Sequence, residues 1–312
     1  MAAEAVVIGR GVSGLSTGIQ LLEAGVGTEI VSRGPAADSV SHVAAAFWYP
    51  YRVYPEHLIS QWAQTTYREL WRLSDVPGSG VRIRPSLEVF AEPQPDPWWS
   101  FITASFRHAT ARELPDDYGN GYLFDCPVAE MPVYLPYLQQ RFTELGGTLR
   151  QQSLNTIDEL RGTARIVVNC AGLGARELVG DATLTPVRGQ IVRVSQVGIE
   201  RLLIDQHNPD GLTYIVPRSA DCILGGTAEI GDENLDPDPA TASAIIARCV
   251  RHEPRLADAT VLEHRVGLRP GRPGVRVELI RPSQRPCWCT TMATVGRALR
   301  SRGAAPTKWC GS

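Results

Sequence analysis

Apolar positions along this chain follow two patterns, short β-branched runs and stripes that recur every three or four residues. Ala5-Val-Val-Ile8 is the first run, apolar throughout and too short for a helix, which predicts a buried strand. Leu15, Ile19 and Leu22 follow at helical spacing, and Gly25 supplies a C-terminal stop. Thr28–Ser32 predicts a second strand. Helical stripes return over Leu58–Leu73, Tyr134–Leu145 and Ala242–Arg251. Strand patterns occupy Val81–Ile83, Leu87–Phe90, Thr148–Gln151, Ile166–Asn169, Arg188–Val194, Thr213–Pro217 and Asp221–Gly226. Pro93, Pro95 and Pro97 break any longer element there, and residues 232–241 read as an acidic loop.

Between the first strand and the first helix, Gly9, Gly11 and Gly14 stand in G-x-G-x-x-G spacing. Strand, glycine turn and helix together form a dinucleotide fingerprint. Gly9 allows the tight turn, Gly11 lets backbone amides approach a pyrophosphate, and Gly14 lets the helix sit close to the strand. The pyrophosphate then rests on the helix N-terminus. At the end of the second strand the fingerprint expects an acidic residue for the ribose, and this chain has Arg33. Arg33 suits a 2′-phosphate and hence NADP, the ribose or pyrophosphate of FAD, or bulk solvent. The fingerprint leaves these open.

Composition narrows the class. At 312 residues the chain suits one large domain or two smaller ones, and 43% hydrophobic with 21% charged residues is ordinary for a soluble protein. A net charge of −2 offers no footprint for nucleic acid or an anionic membrane. No apolar run reaches the roughly 18 residues that span a bilayer, and MAAEAVVIG lacks the basic region of a signal peptide. Seven scattered cysteines fit reduced thiols in a cytoplasmic protein. Cys287-Trp-Cys289 has no second cluster at metal spacing, so no metal site is expected. Oligomeric state is not legible.

Several segments, in order, resemble the FAD-dependent D-amino-acid oxidases. They are Val6–Ser16, Val43-Ala-Ala-Ala-Phe-Trp48 with Pro50-Tyr51, Asp117-Tyr-Gly119, Val168–Gly172, Arg188-Gly-Gln190, Tyr214–Pro217, Leu224-Gly-Gly226 and Gly267–Pro273. The resemblance covers about residues 5 to 280 and implies an α/β fold, a Rossmann-type FAD-binding domain with a mixed-sheet substrate domain. The nucleotide domain is expected over 1–75, 155–185 and 265–312, and the substrate domain over 76–154 and 186–264. The implied cofactor is FAD. Its contacts are expected at Gly9, Arg10, Gly11, Val12, Ser13, Gly14, Arg33, Ser41, Ala45, Ala46, Leu154 and Ala171.

The implied reaction is oxidative deamination of D-amino acids by molecular oxygen, giving 2-oxo acids, ammonia and hydrogen peroxide. An amino-acid carboxylate is best held by a bidentate arginine fork. Arg269, between Gly267 and Pro270, reads as sitting on a rigid turn after a strand and matches the family's carboxylate-binding arginine. Tyr214 matches a tyrosine whose hydroxyl assists the same carboxylate. Arg272 and Arg276 read as surface or structural charges. No general base is required if the amine is neutral and the α-hydrogen leaves as hydride. The alternatives are a glycine- or sarcosine-type amine oxidase and a non-catalytic relic of the family.

The resemblance breaks after Pro286, where the family has a glycine-rich segment such as VHNYGHGGAGVTLSWGCA. That segment can be written in codons that, read one base later, translate as CTTMATVGRALRSRGAAP, the sequence of Cys289 to Pro306. The match points to a reading-frame shift in the gene, or a sequencing error, shortly before Cys287, with a genuinely divergent tail as the alternative; Arg297, Leu299, Arg300 and Arg302 then stand where glycines approach the flavin.

Overall fold

The computed structural model describes residues 3–50, 54–280 and 287–292. The chain opens with β1 (Ala5–Ile8), α1 (Val12–Glu23), β2 (Thr28–Ser32), α2 (Val40–Val43) and α3 (Glu56–Ser74). It continues through β3 (Val81–Phe90), β4 (Arg107–His108), β5 (Asn120–Ala129), α4 (Met131–Glu144), β6 (Thr148–Gln151), β7 (Ile166–Asn169) and α5 (Ala175–Leu178). Then come β8 (Thr185–Ser195), β9 (Leu202–Asp205), β10 (Thr213–Pro217), β11 (Asp221–Gly225) and β12 (Glu229–Ile230). Last are α6 (Pro239–His252), β13 (Val261–Gly271), β14 (Arg276–Ile280) and β15 (Cys287–Met292).

Two sheets result, and the fold is α/β. The first has the order β14-β15-β7-β1-β2-β6, parallel except where β14 meets β15. Its central strand β1 is fully buried, as a β-branched run flanked by helices requires. The second runs β12-β8-β11-β10-β9-β3-β5-β4, with β13 added alongside β8. One face of this mixed sheet carries an aromatic core of Trp48, Tyr67, Phe90, Trp99, Tyr122 and Phe124. The other is covered by α6 through Ile245 and Cys249. No helix among the described residues is long and apolar enough to cross a membrane.

Three expectations change in the structure. Val81–Ile83 and Leu87–Phe90 are one strand, β3, running through Pro85. β9 flanks β3 only over Ser86–Glu88, so the proline lies on a stretch with an open edge, where a missing N–H is tolerated. The segment 131–151, expected in the substrate domain, lies on the parallel sheet: β6 pairs with β2, and α4 shares a core with α1. Conversely, 265–271 lies in β13 of the mixed sheet, because it pairs residue by residue with β8. Of the altered tail, only Cys287–Met292 is described, as a strand parallel to β7; the rest of that reading lies outside the described residues.

The hold on 131–151 is steric and apolar. Phe142 of α4 is completely buried, and a Cβ at Gly18 of α1 or at Gly147 before β6 would stand 2.7 and 2.4 Å from its ring. The ring therefore fills the space that two glycines vacate. Phe142→Ala is expected to cost about 3–5 kcal/mol of stability, read as a lowered denaturant midpoint with an unchanged slope. A loss under about 1 kcal/mol would show that this wedge is not what seats α4 and β6.

Candidate active site

The glycine turn after β1 is built by close contact. A Cβ at Gly14 would lie 1.8 Å from the Gly9 carbonyl oxygen, and one at Gly9 would lie 2.4 Å from the carbonyl oxygen of Cys170 after β7. Gly9 itself takes φ +107, in the region that favours glycine. The turn is thus pressed against both β1 and β7, and α1 starts at the edge of the sheet. Its cap residue Gly11 offers no side chain, so Ser41 reaches in and its hydroxyl accepts from the Val12 amide at 3.1 Å. Val12 and Ser13 form the first turn, where positive helix charge collects.

Two buried polar groups at this edge have no partner among the described residues. One is Nε of Arg10; burial lowers the pKa of that guanidinium, as expected for a cation removed from water. The other is Nδ2 of Asn169, at the end of β7, whose Oδ1 accepts from the Ala171 amide at 3.1 Å. Orphan donors beside a helix N-terminus are costly without an acceptor and suit a diphosphate. This donor set and glycine cradle therefore fit a dinucleotide such as FAD.

The other expected contacts are distributed around that edge. Leu154 and Ala171 pack on the cluster of Val6, Ile8 and Val31. Arg33 is exposed just past β2, and its carbonyl accepts from the Gln151 amide at 3.1 Å. Ala45 is buried, and Ala46 takes φ +54 while its carbonyl accepts from Ala129 at 2.8 Å. Ala45 and Ala46 thereby carry the chain from α2 onto β5, linking the nucleotide edge to the mixed sheet.

Arg269 is not on a turn. Gly267 to Gly271 continue β13 in register with β8, Arg269 facing Val187 and Pro270 facing Pro186. The guanidinium folds back over Gly189, where an added Cβ would come within 2.1 Å of Nη1. Nη1 donates to the Thr227 carbonyl at 3.0 Å. On the same face Tyr214 of β10 leans over Gly225, whose Cβ would sit 1.9 Å from the phenol ring, and over Gly226. Burial raises the Tyr214 pKa, and the opposing charge of Arg269 pulls it down. The structure thus brings Arg269 and Tyr214 together on three cleared glycine positions. Arg188-Gly-Gln190 and Leu224-Gly-Gly226 are the sequence marks of that clearance, though the pattern alone does not say what fills it. Arg272 and Arg276 both pair with buried Asp181, at 2.6 and 3.0 Å, which is a structural role.

A polar group that sequence reading passes over lies on this face as well. Glu88 of β3 is buried among hydrophobic neighbours and receives hydrogen bonds from the Tyr49 hydroxyl and the Gln206 amide, each at 2.8 Å. Burial raises its pKa, while the hydrogen bonds of Tyr49 and Gln206 oppose the rise. The only signal was one glutamate inside the run Leu87-Glu-Val-Phe90.

A family model described as FAD dependent oxidoreductase matches residues 4–296. A D-amino-acid oxidase of Rubrobacter xylanophilus is 50% identical over 287 residues, 91% of this chain and 88% of the relative. A human D-aspartate oxidase is 36% identical over 89% of this chain and 85% of its own length. Among solved structures, glycine oxidase from Geobacillus kaustophilus superposes with a TM-score of 0.75 over 95% of this chain and 89% of its own, at 17% identity, a likeness of fold. With the nucleotide edge, the paired glycine clearances and these matches in hand, the chain belongs to the family of FAD-dependent oxidoreductases that contains the D-amino-acid oxidases.

Proposed function

We propose that this protein oxidises D-amino acids to 2-oxo acids and ammonia with molecular oxygen, using FAD, and that Arg269 and Tyr214 hold the substrate. The observation that carries the roles is the guanidinium of Arg269 folded over Gly189 beside a buried tyrosine hydroxyl. The match to D-amino-acid oxidases at up to 50% identity supports the activity. FAD, when bound, supplies the two-electron acceptor for the substrate and returns those electrons to oxygen as peroxide. Arg10, the turn Gly9–Gly14, Ser41 and Ala171 would hold it, with Arg33, Ala45, Ala46 and Leu154 around them.

The residues of the chain act on the substrate by position and charge. Arg269 pairs with the α-carboxylate, and the half-buried setting strengthens that pairing over its value in water. Tyr214 stays protonated, because burial raises its pKa, and so remains a hydrogen-bond donor to the carboxylate. Gly189, Gly225 and Gly226 let both groups lie low against the sheet. The α-hydrogen departs as hydride, the amine's electrons complete the imine, and water then releases ammonia and the 2-oxo acid. Three described cysteines, Cys126, Cys222 and Cys249, are buried and free, which supports a reducing, cytoplasmic setting.

Peroxide release with D-alanine, against glycine, sarcosine and L-alanine, tests the activity, and a preference for sarcosine would replace this reading. Arg269→Leu is expected to remove about 2–5 kcal/mol of charge pairing, seen mainly as a raised KM. A variant with its KM intact would dismiss the assignment. Gly189→Ala pushes a methyl into the guanidinium, and KM is expected to rise about 10- to 100-fold with the flavin spectrum preserved. Unaltered kinetics in that variant would mean that Arg269 can bind carboxylate from another position. For the altered tail, a form restored to the alternate frame is expected to hold more flavin and release more peroxide. Equal flavin occupancy and turnover in the two forms would show the tail to be a tolerated variant.

A further inference from the structure

The mixed sheet aligns three residues in one row. Tyr214 of β10 is directly opposite Ile204 of β9, and Ile204 is directly opposite Glu88 of β3. Directly paired residues share a face, so all three point toward the side that carries Arg269. Two strand spacings separate Tyr214 from Glu88, about 10 Å. Gln206, two residues beyond Ile204, returns to the same face and completes the hold on Glu88.

Above the row stand aromatic walls. Phe47 lies edge-on to Tyr214, with ring centroids 5.9 Å apart, and 6.1 Å from the ring of Tyr49. Tyr214 leans away from β9, over Gly225 and Gly226, so Ile204 lies between the phenol and Glu88. The direction from Arg269 past Tyr214 thus runs over an apolar floor, along Phe47, to a carboxylate. A carboxylate buried at the end of an apolar row is costly unless something answers its charge. Tyr49 and Gln206 supply neutral donors, burial and the nearby Asp205 raise the pKa of Glu88, and no cation pairs with it among the described residues, so its charged form is what an arriving cation would stabilise.

We propose that Glu88, braced by Tyr49 and Gln206, reads the far end of the substrate side chain and makes the protein selective for D-amino acids with cationic side chains. D-lysine and D-arginine have apolar stems to cross Ile204 and a positive end to meet the carboxylate. D-aspartate and D-glutamate would bring a second negative charge toward it and are disfavoured. This inference rests on the D-amino-acid reading with Arg269 at the α-carboxylate.

The test compares kcat/KM for D-lysine, D-arginine, D-alanine and D-aspartate in the holoenzyme and in Glu88→Gln, which keeps shape and hydrogen bonding but removes the charge. The unaltered enzyme is expected to favour D-lysine over D-alanine by at least about tenfold. In Glu88→Gln the ratio of D-lysine to D-alanine is expected to fall about tenfold or more, and the ratio of D-aspartate to D-alanine to rise. The unaltered enzyme's own ranking decides the matter if the variant does not fold: a preference for D-alanine or D-aspartate over D-lysine overturns the proposal. Turnover of D-alanine with ratios unmoved in Glu88→Gln overturns the role of Glu88 alone. Absence of turnover with every D-amino acid overturns the underlying reading and this inference with it.

Discussion

Strand β8 has to serve two unlike environments, and its two-residue period allows both. On one face Arg188 and Gln190 are buried and tie down the loop after β12. Arg188 donates to Glu229 and to the carbonyls of Asn234 and Asp236, and Gln190 donates to the carbonyl of Asp238. On the other face Gly189 contributes no side chain, and that vacancy is where Arg269 lies. A shift of one residue would exchange the faces, putting a buried arginine against Arg269 and a glycine under the loop. Pairing with β11, β12 and β13 together holds the register, both beside Arg269 and along the strand as far as Ser195.

The nucleotide edge depends on the opposite device, exclusion of volume along the backbone. Gly14 against Gly9, and Gly9 against Cys170, bring α1, β1 and β7 closer than any side chain would allow. What is left at that edge is polar and incompletely paired: Arg10 and Asn169, with the Ser41 hydroxyl on the first amide of α1. Between the two sites runs the segment through Ala45 and Ala46, pinned to β5 by the Ala46 carbonyl. Its next residue, Phe47, touches Tyr214. The nucleotide edge and the face that carries Tyr214 are therefore joined by three consecutive residues.

Local patterns in the sequence give the strands, the helices and the fingerprint well, because each depends on near neighbours. Thr28–Ser32 and Thr213–Pro217 match their strands end to end. Legibility fails where distant pairing outweighs local preference. Gly267–Pro273 carries the residues of a turn, yet β8 draws most of it into a strand. Val81–Ile83 and Leu87–Phe90 read as two strands, but an open edge at Pro85 lets them run as one. Thr148–Gln151 is plainly a strand, while the sheet it joins is decided by Phe142 and two glycines. Glu88 is the hardest case. One charge in a buried run has no period, and its partners Tyr49 and Gln206 lie 39 and 118 residues away.

The chain visits the two sheets in five alternating segments, 5–32, 81–129, 148–169, 185–271 and 276–292. Neither sheet is therefore a contiguous piece of sequence, and no single cut releases one of them whole. An excised fragment would carry unpaired edges from both. Folding of either sheet must wait for chain that is synthesised after most of the other, which couples the two into one cooperative unit. The same interlacing limits how such a protein can change: a substrate face cannot be exchanged as a module, so new specificity must arise by substitution within the rows already present.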